Sequence, residues 1–152
     1  MSEPSLLHLM NDALSQELAL FEQIDELSQK QMALLQEESP DADAIAKQMI
    51  RKSELMDQLQ TIKNRNLPIK ETWEREYQQY TGEERREIQQ IRDQSVQIVA
   101  QIYEREQEIA QAIKTGMAEI DQKLKNLYNA RSANKAYFTY ETPPPRYIDK
   151  KK

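Results

Sequence analysis

Apolar side chains recur every seven residues along the first quarter of the chain, at Leu6, Ala13, Leu20, Leu27 and Leu34, with Leu7, Leu14, Phe21 and Leu35 beside them. Met10, Leu18 and Ile24 widen the stripe. A seven-residue period drifts little around an α-helix, so this pattern predicts a helix over residues 5–37 that packs along a partner rather than crossing it at one point. Each large apolar side chain on that face favours burial by ~1.5–3 kcal/mol. Something must therefore cover the stripe.

The run Glu37, Glu38, Ser39, Pro40, Asp41 interrupts the pattern and predicts a tight turn. Ser39 is the expected cap of the next helix, Pro40 suits its first turn, and Asp41 and Asp43 favour its positive end. A second helix over residues 40–64 then carries Ile45, Met49, Leu55, Met56, Leu59 and Ile62, and folds back on the first as a hairpin. Pro68 predicts its end, because a residue before proline avoids the helical region. Ile69, Trp73, Tyr77 and Tyr80 mark a short aromatic-faced helix over residues 69–80. Thr81 and Glu84 have the spacing of a capping box, which favours a break at Gly82 over one continuous helix. From residue 83 to about 131 runs the longest stripe: Ile88, Ile91, Ile98, Ile102, Ile109, Ile113, Met117, Ile120, Leu124 and Leu127. As one straight helix it spans about 70 Å, and Gly116 within it marks either a close approach, a bend or a tolerated glycine. The expected fold is all-α, an elongated antiparallel helical bundle over residues 1–131. Residues 132–152, with three successive prolines, are expected to form a flexible tail.

Residue types limit the chemistry. The net charge is -5, and no stripe of lysine and arginine interleaved with aromatics precedes the tail, which argues against nucleic acid as a partner. Cysteine is absent, so no disulfide, thiolate nucleophile or cysteine zinc site exists. No apolar run is long enough for stable membrane insertion and the N-terminus does not read as a secretory signal, so a cytoplasmic location is expected. His8 is the single histidine and has no second ligand near it in sequence. Glu104, Glu106 and Glu108 are expected to form a solvated helix face. Without a phosphate loop, a catalytic triad or a metal motif, neither enzyme activity nor a cofactor is expected.

The expected function lies in surplus apolar surface. A final helix that outreaches the second by about 20 residues at 1.5 Å each leaves part of its stripe uncovered. A partner helix in a groove covers such a stripe, and self-association into a homo-oligomer is the other way. In the tail, Tyr137, Phe138, Tyr140, Tyr147 and Ile148 are too apolar for a purely solubilising extension and read as a docking motif.

The chain resembles the FlgN family of flagellar export chaperones. The resemblance is carried by the leucine-rich first helix and by the return segment Lys52, Ser53, Glu54, Leu55, Met56, Asp57, Gln58, Leu59. It also rests on the long helix opened by Thr81, Gly82, Glu83, Glu84, and on an ending with Lys135, Ala136, Tyr137, then Pro143, Pro144, Pro145, Arg146 and the closing Tyr147, Ile148, Asp149, Lys150, Lys151, Lys152. It implies a cytoplasmic chaperone that holds the C-terminal helical segments of hook-associated proteins, which form the hook-filament junction, until delivery to the flagellar export apparatus. Ile109, Ile113, Met117, Ile120, Leu124 and Leu127 are then the expected client surface, and the tail aromatics the expected contact with the export apparatus. The alternatives are a coiled-coil protein consumed by its own assembly, and a chaperone of the FliT type that guards the filament cap.

Overall fold

The computed structural model describes the backbone of residues 5–116 and 118–134, and side chains within 5–114 and 122–130. Among these residues all regular structure is helical: α1 (Leu6–Leu35), α2 (Ala42–Glu76), a 3-10 turn (Tyr77–Gln79), α3 (Gly82–Gly116) and α4 (Ala118–Asn134). The first two helices form an antiparallel hairpin, with Ala13 level with Asn66 and Gln31 level with Lys52. α3 runs parallel to α1, with Asn11 level with Glu87 and Ser28 level with Glu106. Both α2 and α3 pack along α1 but approach each other less closely. Helices of 30 and 35 residues extend about 45 and 52 Å while each is only ~10–12 Å thick, so the bundle is elongated.

The helix starts follow local chemistry. Ser5 caps α1, its Oγ accepting the His8 N–H at 3.1 Å. Thr81 and Glu84 form the predicted reciprocal box: the Glu84 N–H donates to Thr81 Oγ1 at 3.1 Å, and the Thr81 N–H to Glu84 Oε1 at 2.9 Å. At α2 the cap is Asp41 and not Ser39, because the helix begins at Ala42 and the Asp41 carboxylate then lies in reach of the Ala44 N–H at 3.1 Å.

Two larger departures from the periodic reading have tertiary causes. α2 does not stop before Pro68 but continues through it to Glu76, merging the expected helices over 40–64 and 69–80. Proline inside a helix costs about 3 kcal/mol through a lost hydrogen bond and a clash. Here Asn64 and Pro68 are both exposed, so the carbonyl that loses its donor lies on the solvent side. The continuation brings Asn66 onto the Ala13 carbonyl at 3.2 Å, Lys70 onto Glu17 at 2.7 Å, and Trp73 into the core. The second departure is at Gly116, where α3 ends before α4 begins at Ala118. A straight helix would carry Tyr128 about 22 Å beyond Ile113. Tyr128 and Leu124 instead share a cluster with Ile113, Ile109, Leu35, Ile45 and Ala46, and Lys123 forms an ion pair with Asp43 at the start of α2. The chain has bent back over the hairpin end.

Three apolar clusters stack along the bundle and are separated by polar layers. Met10, Leu14, Trp73 and Ile88 form the first, with Tyr80 stacked on Trp73 at a ring separation of 5.0 Å. Leu20, Phe21, Ile24, Leu55, Met56, Leu59, Val99 and Ile102 form the second, and the Leu35 to Tyr128 group forms the third. Glu17, Asn66 and Lys70 lie between the first two, while Ser28, Gln31, Lys52 and Glu106 lie between the second and third.

Candidate functional site

The incomplete approach of α2 to α3 opens a groove between them that α1 floors over part of its length. Nearest the 3-10 turn it is a cleft of about 430 Å³ lined by Trp73, Glu74, Tyr77, Arg85, Arg86 and Ile88. It continues, through Gln89 and Arg92 shared between the two parts, into a cleft of about 550 Å³ floored by Leu14, Glu17 and Phe21 and walled by Lys63, Lys70, Ser95 and Val96. Helical spacing explains each wall. On α2, Lys63, Lys70 and Glu74 line the groove, with Tyr77 following in the 3-10 turn, and Leu67 falls into the same four-and-three spacing without being a lining residue itself. On α3, residues 85, 89, 92 and 96 do the same.

Leu67 and Val96 are 51% and 54% exposed, the two most exposed of the large apolar side chains among the described residues. Val96 lines the α3 wall, and Leu67 is in helical register with the residues of the facing wall. Lys63 lies 5.7 Å from the Phe21 ring centre, over its face, and Arg92 bridges to Glu74 at 2.8 Å. No helix of the described residues is long and apolar enough to cross a membrane.

A second unusual feature is the polar layer in the bundle interior. The Lys52 ammonium donates to both Gln31 Oε1 and Glu106 Oε2, and the Ser28 hydroxyl donates to Glu106 Oε2 at 3.2 Å. All four residues are buried. Burial pushes Lys52 below its ordinary value, against the pull of the Glu106 carboxylate, which raises it. Glu106 is therefore no member of a solvated face. Its position is legible in hindsight, because Ile102, Glu106, Ile109 and Ile113 recur at four, three and four, the register of the core. Ile24, Ser28, Gln31, Leu35 and Ile45, Met49, Lys52, Met56 have the same spacing.

The expected client surface is occupied by the chain itself. Ile109, Ile113 and Leu124 are buried in the third cluster and Leu127 is half-buried against it. The premise that this stripe overhangs the second helix is corrected, because α2 is as long as α3, at 35 residues each, and α4 packs on α2. A partner reaches these residues only if α4 lifts away. Met117, the side chain of Ile120, and the tail residues Tyr137, Phe138, Tyr140, Tyr147 and Ile148 lie outside the described residues. The groove was missed because its walls are polar at most positions; the signal for it was Val96, an apolar residue standing off the core stripe of α3. Comparison with family profiles, curated proteins and solved structures gives no match.

Proposed function

We propose that this protein is a non-enzymatic binding module that covers an amphipathic helix of another protein, and that it serves as a flagellar export chaperone for the C-terminal helices of hook-associated proteins. The observation that supports helix capture is the open groove with the exposed Val96 on its α3 wall and the exposed Leu67 in helical register with its α2 wall. A helix laid between α2 and α3 completes a four-helix arrangement over the α1 residues Leu14, Glu17 and Phe21 and covers Val96. The choice of client rests on the FlgN resemblance, as do the cytoplasmic setting and the tail as contact with the export apparatus.

The test is fluorescence anisotropy with labelled C-terminal peptides of hook-associated proteins, alongside light scattering of the free protein. The expected result is saturable binding that Leu67→Asp with Val96→Asp weakens at least tenfold, since burying each apolar side chain contributes ~1.5 kcal/mol or more. Helical circular dichroism should not change. Wild-type affinity in that variant sinks the groove as the site. A stable high-order assembly that ignores the peptides points instead to a self-assembling structural protein.

A further inference from the structure

We infer that the groove's occupant is an acidic amphipathic helix, with an apolar ridge flanked by Glu and Asp. This rests on the helix-binding reading above and adds the chemistry of the partner. The whole chain has a net charge of -5, yet the groove presents Lys63, Lys70, Arg85, Arg86 and Arg92 against only Glu17 and Glu74. Both carboxylates are already engaged. Glu17 accepts from Lys70 at 2.7 Å and Asn66 at 3.0 Å, and Glu74 accepts from Arg92 at 2.8 Å. Arg85 and Arg86 make no ion pair among the described residues, and Arg85 lies over the Tyr77 ring at 6.0 Å from its centre. The groove therefore has a surplus of positive charge that an acidic guest neutralises and a basic guest meets as repulsion.

The apolar part of the lining decides what kind of acidic guest fits. Leu14, Phe21 and Trp73 are already covered by the core, but the exposed Val96 on the α3 wall, and the exposed Leu67 in helical register with the α2 wall, gain from an apolar counterpart, which a nucleic-acid backbone lacks. The walls, from 63 to 76 on α2 and from 82 to 96 on α3, each rise about 20 Å, the length of a helix of about 14 residues. One apolar ridge with acidic flanks satisfies lips and rims together.

Two synthetic amphipathic peptides with the same leucine ridge, one flanked by Glu and one by Lys, test the inference by anisotropy and by the emission of Trp73, the chain's single tryptophan. The Glu peptide should bind at least tenfold tighter at about 50 mM salt, change Trp73 emission, and lose most of that advantage near 0.5 M, where charges are screened within about 4 Å. Arg85→Glu with Arg86→Glu should remove the preference at unchanged thermal midpoint. At about two- to threefold per rim ion pair lost, and as much again from repulsion, the loss is about tenfold or more. Equal, salt-insensitive binding of both peptides overturns the acidic preference and leaves helix capture standing. Failure of both peptides to bind overturns both. Binding that leaves Trp73 emission and the double variant unaffected places the guest elsewhere and overturns the inference. Tighter binding of a DNA duplex than of the Glu peptide overturns it as well.

Discussion

Replacing Glu106 with leucine strands the Lys52 ammonium in the interior with Gln31 Oε1 as its remaining partner, at a site where the side chain is 2% exposed. Removing one member of a buried ion pair costs about 3–5 kcal/mol, a large part of the ~5–15 kcal/mol that holds a domain together. The loss has a ceiling, because burial already holds Lys52 below its ordinary value and losing the carboxylate that raises it lowers it further, easing release of the proton. Lys52→Met with Glu106→Leu removes both charges at similar volume and should stay within about 2 kcal/mol of wild type, because apolar replacement of a buried pair is often neutral. Ser28 and Gln31 then lose their partners, which prevents a larger gain. Urea unfolding at pH 7, followed by circular dichroism across the full cycle, should give a coupling of at least ~2 kcal/mol. The sign of the pH dependence follows from the same site. Between the lowered folded pKa of Lys52 and its unfolded value near 10.5, the unfolded chain binds more protons, so this group's contribution raises stability as pH rises through that window. The double variant should lack that increment. A coupling below ~0.5 kcal/mol, or a Glu106→Leu protein as stable as wild type, refutes the buried pair.

Two further variants address the departures from sequence periodicity. Pro68→Ala should raise stability by about 1–3 kcal/mol in thermal or urea unfolding, since it restores a helical hydrogen bond within a continuous α2; no gain, or a loss, means the helix is interrupted there. Leu124→Ala should cost about 2–5 kcal/mol by opening a cavity among Ile45, Ile109 and Tyr128. A cost under ~0.5 kcal/mol places that residue on a projecting, solvated helix.

The periodic stripes of α1, α2 and α3, the break at Thr81 and its capping box, and the all-helical class were legible in the residues alone. Each depends on interactions within three to seven positions, which helical geometry makes repeat regularly. The passage through Pro68 and the turn-back after Gly116 were not, because in each a local preference yields to contacts made across the bundle; the choice of Asp41 over Ser39 as cap is local, and follows from where α2 begins. Lys52 and Glu106 show the same limit: their core register was present in the sequence, but only the neighbouring helix shows that each charge finds its opposite there. The groove is tertiary altogether. Amphipathic helices declare that they have a face to bury, whereas which faces meet, and what gap remains between α2 and α3 for a guest, depends on how three rods pack around one another.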